Sequence, residues 1–312
     1  MSTLVLGSSG LVGRELITKL AGAGHQVVAC DVAKPVGSPS PEGITYVSAD
    51  MSRLDQMVAL LHEHEVSRIA CFSYVMGPLM SPGFADFLGA QQVNIMGVTN
   101  VLEAARLTGV RRVLLASTVG TYGDQSLYGD REVNEDDVLA PRSMYGRMKA
   151  LNEAVADRYR QVHGLDVVKV RPSSILGSGS TIWPSRLIER LAVGETGYAP
   201  YGPQARDNIV AVDDLTTLLS GLLNKTDLGH DTYLACGHNV SMAELVTLLG
   251  ELLPESTIEY PADRNRAPTY AQVFDNSRAV KEIGWELKSV RESVCLHING
   301  VRRDAGLAPL TW

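Results

Sequence analysis

The chain has 312 residues, with 28 Lys and Arg against 35 Asp and Glu and a formal net charge of −7. Hydrophobic residues make up 45% and charged residues 20%, the balance of a globular protein with room for one large domain or two unequal lobes. With no basic run to match a phosphate backbone and no apolar segment of membrane-spanning length, neither a nucleic-acid partner nor a membrane span is expected.

The four cysteines, Cys30, Cys71, Cys236 and Cys295, lie far apart, with no Cys-x-x-Cys and no Cys/His cluster. They read as reduced thiols of a cytoplasmic protein, and no metal site is expected. The opening Ser-Thr-Leu-Val-Leu-Gly lacks a basic region ahead of a long apolar run, so no signal peptide is expected.

Leu4-Val5-Leu6 reads as a short buried strand, followed at once by Gly7-Ser-Ser-Gly10-Leu11-Val12-Gly13. Arg14 to Ala23 then reads as a helix closed by Gly24, and Val27-Val28-Ala-Cys-Asp31 as a second strand ending in an acid. In such a βαβ unit the glycines let backbone approach a ligand, and the helix N-terminus offers free N–H groups and partial positive charge to a pyrophosphate. Asp31 could accept both hydroxyls of a ribose. It would repel a 2′-phosphate, and no arginine follows it closely, which favours NAD over NADP. The plainer alternative is a tight βα turn that needs glycine for steric reasons alone.

A Pro-, Ser- and Gly-rich stretch follows, with a short strand at Ile44 to Val47 and Asp50-Met51 at its end. The Asp50 carboxylate could meet an adenine amino group or cap the helix beginning near Leu54. Ile69 to Ser73 reads as a fourth strand, Met76 to Phe87 as a loop near a substrate, and Gln91 to Leu107 as an amphipathic helix through Val93, Met96, Val101, Leu102 and Ala105. That helix is read as a core or dimer element, Asn94 excepted.

Residues 112–149 hold the chemistry. Arg-Val-Leu-Leu-Ala reads as a buried strand that runs into Ser117-Thr118, and a loop leads to Ser-Met-Tyr145-Gly-Arg-Met-Lys149. Tyr145 and Lys149, spaced i and i+4, share one helix face. A free tyrosine has a pKa of about 10, and a neighbouring cation lowers it by roughly 1–3 units. Lys149 is one such charge, and an oxidised nicotinamide would be a second. A phenolate there takes a proton from a substrate hydroxyl as hydride leaves the carbon. Thr118 would hold the substrate oxygen, with Ser117 the neighbouring alternative. Against this stands chance, since Tyr-x-x-x-Lys pairs also occur on solvated helices.

The helix after Lys149 runs to His163-Gly164, and Val167 to Arg171 reads as a strand ended by Pro172. Alternating strands and helices to this point predict a parallel sheet wound on both faces. Beyond it the rhythm breaks. Ser173 to Gly179 reads as a flexible turn, Pro184 to Leu191 as a helix, and Asp207 to Leu215 as a strand feeding a helix that returns to the large lobe. Ser241 and Glu244 form an N-cap and capping-box pair for a further helix. The expected division is a Rossmann-type domain over 1–171 joined by 205–235, with 172–204 and 236–312 as a substrate lobe.

The whole pattern resembles the extended short-chain dehydrogenase/reductase family, the NAD-dependent epimerase/dehydratase group. Gly7, Gly10 and Gly13 match its glycine turn, Asp31 its ribose acid, Asp50-Met51 its adenine contact and Asn94 the Asn of its Asn-Val-x-Gly-Thr helix. Ser117-Thr118 with Val-Gly-Thr-Tyr-Gly, then Tyr145 and Lys149, then Arg171-Pro172, then Arg206-Asp-Asn-Ile-Val-Ala-Val-Asp-Asp-Leu and Gly284-Trp285 follow in the family's order. The resemblance implies a doubly wound parallel sheet that binds NAD, a smaller C-terminal substrate lobe, and a homodimer through the helices containing Asn94 and Lys149. It also implies a substrate phosphate at Arg206, with Arg264 or Arg266 near a second such position; each could instead be an ordinary salt-bridging arginine.

Departures from the pattern carry information. Cys71-Phe72-Ser73-Tyr74 replaces His-Leu-Ala-Ala, so Tyr74 reshapes the nicotinamide side of the pocket. Ser174 replaces the Asn of Arg-Pro-x-Asn, which weakens a nucleotide-sugar contact there. Val119-Gly120 replaces the acid pair that follows the Thr in 4,6-dehydratases, so water elimination is discounted. An epimerase of a sugar or nucleotide-sugar is expected. A dehydrogenase of a polyol, sugar or hydroxy acid is the alternative, and a non-catalytic NAD-sensing regulator a remote one.

Overall fold

The computed structural model describes residues 2–33, 41–76, 86–199, 201–260 and 270–312. The chain divides into two compact units. One is Met1–Tyr122, Val138–Arg171 and Thr216–Tyr233; the other is Gly123–Asp137, Pro172–Leu215 and Leu234–Trp312.

The larger unit is built on β1 (Ser2–Leu6), β2 (Val27–Asp31), β3 (Ile44–Ser48), β4 (Val66–Cys71), β5 (Arg112–Ala116) and β6 (Val167–Pro172), which with β10 (Thr232–Ala235) form one sheet in the order β10-β6-β5-β4-β1-β2-β3. The pairings of β1 with β2 and β4, of β2 with β3, of β4 with β5 and of β5 with β6 are all parallel. Central strands of such a sheet are covered on both faces and therefore read as unbroken apolar runs, and all five residues of β1 are buried. Helices Leu11–Gly22, Leu54–Glu63, Val98–Thr108 and Met144–His163 connect these strands. A core of Leu4, Leu6, Met57, Ile69, Val101, Leu102, Val113 and Leu115 fills the space between helix and sheet.

Several local expectations are corrected. β4 starts at Val66 and ends at Cys71, so Ser73 is past its end. The helix through Asn94 is not uniform: Phe87–Gln91 and Val98–Thr108 flank a wider π-helical turn, Gln92–Gly97. Met96, on this helix read as a core or dimer element, lies in the π turn and is 54% exposed. Residues 77–85 of the expected substrate loop lie outside the described residues.

The smaller unit holds β7 (Ser174–Leu176), β9 (Arg206–Ala211) and β11 (His238–Ser241), ordered β11-β9-β7, together with a pair formed by β8 (Gly197–Tyr198) and β12 (Ile258–Glu259). The stretch read as a flexible turn is thus partly strand, since Ser174, Ile175 and Leu176 pair in parallel with Ile209, Val210 and Ala211. Helices Ser185–Ala192, Met242–Leu252 and Val290–Asp304 pack around a second core that includes Leu187, Leu191, Leu245, Leu249, Val294 and Ile298. The capping box expected at Ser241 and Glu244 is formed, and an unexpected second one joins Ser289 and Glu292.

The expected boundaries shift. β9 belongs to the smaller sheet, so the return to the larger unit begins at Thr216 rather than 205. Residues 123–137 also belong to the smaller unit: Val133 bridges Phe274, and the Gln125 side-chain oxygen accepts from the Gln272 and Val273 amides. Among the described residues no helix is long and apolar enough to cross a membrane, and no His, Cys, Asp and Glu cluster could hold a metal ion.

Candidate active site

Gly7 follows β1 with φ at +80°, a left-handed conformation that glycine adopts freely. A β-carbon there would lie 2.7 Å from the Ser73 amide nitrogen, and one at Gly13 would lie 2.2 Å from the Gly7 carbonyl oxygen. The glycines therefore serve close backbone packing. They also leave the N-terminus of helix Leu11–Gly22 bare: Gly10 is its N-cap without a side-chain cap, and its first turn holds no acid. Leu11 and Val12 are half-buried there. The leading amides of a helix have no partner within it, and here they suit an anion.

Two further features fit a dinucleotide. Ser8, which the sequence reading passed over, is 4% exposed, and its hydroxyl has no partner among the described residues. A buried hydroxyl in that state can be completed by a ligand or by water. Asp31 is aimed back at this turn: one carboxylate oxygen accepts from the Ser9 amide at 3.0 Å and the other from the Val32 amide at 2.8 Å. Both oxygens keep lone pairs for ribose hydroxyls.

Asp50 and Met51 differ in kind. Asp50 is half-buried, and its carboxylate accepts from the Ser52 amide at 2.8 Å. It therefore caps the turn before helix Leu54–Glu63, whose N-cap is Arg53. Met51 is 4% exposed and belongs to the core, close under Gly97, so its side chain is not free for an adenine.

Tyr145 and Lys149 lie one turn apart on helix Met144–His163, whose N-cap Ser143 accepts from the Gly146 amide. Gly146 lets that helix press against the loop after β5, for a β-carbon there would sit 2.1 Å from the Gly120 carbonyl oxygen. This approach sets the Tyr145 ring beside Thr118: a β-carbon on Gly120 would lie 3.4 Å from the Thr118 hydroxyl oxygen and 3.9 Å from the Tyr145 ring. The Lys149 amine is buried and donates to the Ala116 carbonyl at the end of β5, at 2.7 Å. Tyr74 completes the group: its ring meets that of Tyr145 edge to face at 5.4 Å, and the Lys149 nitrogen lies 4.0 Å from its centroid. Since Tyr74 follows directly on the Phe72-Ser73 backbone against which Gly7 packs, the glycine turn and the Tyr145 group are joined through three consecutive residues.

The site's own electrostatics raise the Tyr145 phenol rather than lower it. Burial pushes the Tyr145 phenol above its ordinary pKa, and the Thr118 hydrogen bond pulls it only partly back. The Lys149 nitrogen stands 6.0 Å from the Tyr145 centroid, closer to Tyr74. Burial in turn pulls Lys149 down to about 8, with Cys71 and Glu153 opposing.

Ser117, read as supporting the substrate oxygen, does something else. It is 4% exposed and donates to the Glu153 carboxylate. Glu153 also takes two bonds from Arg171, at 3.0 and 2.6 Å, and Arg171 donates to the Tyr122 hydroxyl at 2.5 Å. Successive residues of an extended backbone point to opposite sides, so Thr118 faces Tyr145 while Ser117 joins this buried network. Glu153, another turn along the same helix, escaped the sequence reading although its i+4 spacing from Lys149 was visible.

Asn94, expected at the cofactor, is fully buried and clips the chain after β4: its side chain accepts from the Val75 amide at 2.8 Å and donates to the Val75 carbonyl at 2.9 Å. Asn152 donates to the Asn94 carbonyl at 2.8 Å. Asn94 thus fixes the residue next to Tyr74.

In the smaller unit, Ser174 is buried and donates to both Asp207 oxygens at 3.1 Å, while Tyr270 donates to one of them at 2.8 Å. Burial pushes the Asp207 carboxyl up to about 7 despite these bonds. Arg206 is engaged within the unit, donating to the Asn239 carbonyl at 2.6 Å and pairing with Glu244 at 3.2 Å. Arg264 and Arg266 lie outside the described residues.

Comparison with known proteins bears on all of this. Residues 3–236 match the NAD dependent epimerase/dehydratase family. A UDP-glucose 4-epimerase from Mycolicibacterium smegmatis is 27% identical over 307 residues, covering 92% of this chain and 93% of that protein. A uronate dehydrogenase from Pseudomonas putida is 30% identical over 180 residues, 55% of this chain and 60% of the other. Among solved structures, MoeE5 in complex with UDP-glucuronic acid and NAD is 25% identical, covers 97% of this chain and 100% of its own, and superposes with a TM-score of 0.83.

Proposed function

The chain belongs to the NAD dependent epimerase/dehydratase family and is an NAD-dependent enzyme, and from that premise we propose that it epimerises a nucleotide-sugar at a secondary alcohol carbon. The observation that carries this reading is the cluster of Tyr145, Tyr74 and the buried Lys149 amine beside Thr118, joined to the glycine turn through residues 72–74. NAD, when bound, supplies a reversible hydride acceptor. Tyr145 takes the proton from the substrate hydroxyl and returns it to the same oxygen. Thr118, beside the phenol, orients the substrate oxygen. Lys149, 6.0 Å from the Tyr145 ring centre, and an oxidised nicotinamide would together supply the charge that favours the phenolate. The amides of Leu11 and Val12, with the Ser8 hydroxyl, receive the pyrophosphate, and Asp31 the ribose hydroxyls. Val119 and Gly120 carry no acid or base, which argues against water elimination.

A dehydrogenase that releases NADH is the second reading. Two observations favour it: Ser174 is occupied by Asp207 and Tyr270 rather than turned to a ligand, and the uronate dehydrogenase is 30% identical over its matched segment. We also propose a cytoplasmic homodimer. Leu88, Met96 and Leu151 are 70%, 54% and 49% exposed on the helical segments expected to pair, and the four cysteines are unpaired.

One preparation tests these points. The protein is purified, its mass read by light scattering, its cofactor released by denaturation, and UDP-glucose and UDP-glucuronic acid offered as probes. Retained NAD with interconversion of a sugar nucleotide supports the epimerase, whereas exchangeable NAD with NADH release supports the dehydrogenase. A mass of one chain, 33.6 kDa, removes the dimer. Tyr145→Phe keeps NAD binding within about twofold and cuts turnover by at least about a hundredfold, the scale of a lost acid/base group. Undiminished turnover removes Tyr145 from the mechanism.

A further inference from the structure

Lys149 brings an ammonium into a place with few groups to receive it. From β5 the Ala116 carbonyl accepts one of its three N–H bonds. From the end of β4 comes Cys71, whose thiol burial pushes up to about 11, so it brings no negative charge at neutral pH. From its own helix comes Glu153, whose carboxylate already serves Arg171 twice and Ser117 once. Tyr145 stands farther off, with its ring centroid 6.0 Å away. The nearest remaining group is the face of Tyr74, 4.0 Å from the Lys149 nitrogen to the ring centroid.

We propose that Tyr74 is a positioning residue of this active site: the π face of its ring holds the Lys149 ammonium, and its edge-to-face contact fixes the ring of Tyr145. The inference rests on the reading of Tyr145 and Lys149 as the catalytic pair. A desolvated cation that loses its compensating neighbours sheds its proton, and an aromatic face is a strong compensator when water is excluded. The T-shaped geometry, 5.4 Å between centroids and 86° between planes, is the arrangement aromatic pairs prefer. The Tyr74 hydroxyl is buried with no partner among the described residues, so the ring is what Lys149 uses and Phe should serve it equally.

The test follows Lys149 itself in cofactor-free protein, by acylation of its amine over a pH series and mass spectrometry of the peptide that carries it. Tyr74→Phe keeps the wild-type midpoint. Tyr74→Leu, which fills similar apolar volume without a π face, moves the midpoint down by about one pH unit, and the alkaline limb of kcat/KM moves with it. Phenylalanines of increasing fluorination placed at 74 keep the shape and weaken the face stepwise, so the midpoint falls stepwise even if the Leu variant does not fold. An identical midpoint in the Phe, fluorinated and Leu proteins overturns the proposal. The labelling does not depend on turnover, so it stays readable if Tyr145→Phe is still active and the catalytic reading fails.

Discussion

Lys149 is 6% exposed, and burial brings its pKa from 10.5 down to about 8. Between those two values the unfolded chain binds a proton that the folded chain does not, so this residue makes stability rise with pH across that window. Below about pH 8 both states are charged and the whole penalty is present. Lys149→Met removes the titrating group. The stability of that variant relative to wild type should therefore fall as pH climbs from about 8 to about 10.5, by on the order of 3 kcal/mol. Denaturant unfolding of both proteins across the range checks it, and a constant difference would mean that the amine is not held out of water. The same residue shows what was legible. That Tyr145, Lys149 and Thr118 lie together was legible from spacing, because i and i+4 on a helix and a hydroxyl at a strand end are local patterns. Which of Ser117 and Thr118 faces Tyr145 was not legible, because the alternation of an extended chain tells that they oppose and not which side each takes. That is settled by Glu153 and Arg171, 36 and 18 residues from their respective partners Ser117 and Glu153.

Helix Met144–His163 and the loop after β5 meet where Gly146 faces Gly120. Intrinsic propensity favours alanine over glycine inside a helix by about 1 kcal/mol. At Gly146 that gain is overruled, since the new β-carbon would lie 2.1 Å from a backbone oxygen and 3.1 Å from Pro141. Gly146→Ala is expected to lower stability by roughly 1–3 kcal/mol, the cost of overpacking. It should also weaken turnover by separating Tyr145 from Thr118. Gly250, in helix Met242–Leu252, is exposed and its β-carbon would meet nothing within 4 Å. There Gly250→Ala should stabilise by about 0.5–1 kcal/mol. Thermal unfolding of the two variants checks the opposite signs, and matching signs would show that helix propensity alone decides. Elements were legible where a period ran long enough: β1, β2, β5 and the helix of Tyr145 appear within a residue or two of expectation. β7 has three residues, too few to show alternation, and the π turn at Gln92–Gly97 keeps an apolar pattern that looks helical throughout.

Across the molecule, the sheet order places β1 between β2 and β4, so successive strands leave β1 in opposite directions. Ligands of such sheets bind beyond the carboxyl ends at that reversal, which here is where Gly7 packs on Phe72 and Ser73. The larger unit was largely readable because its strands and helices alternate. The smaller unit collects 123–137, 172–215 and 234–312, and no local pattern announces that three separate stretches share a core. The proposed preference for NAD over NADP rests on Asp31 at the end of β2. Its carboxylate is anchored by the Ser9 and Val32 amides, so it cannot swing away from a 2′-phosphate without giving up both bonds. NAD at about a hundred times its dissociation constant should stabilise the protein by about 2.7 kcal/mol, read as a rise in thermal midpoint. NADP at the same concentration should leave the midpoint nearly where it was. Asp31→Asn keeps one acceptor oxygen and removes the charge, so it should narrow the gap between the two cofactors mainly by admitting NADP. Equal shifts from NAD and NADP in the unaltered protein would mean that the acid at the end of β2 does not face the ribose at all.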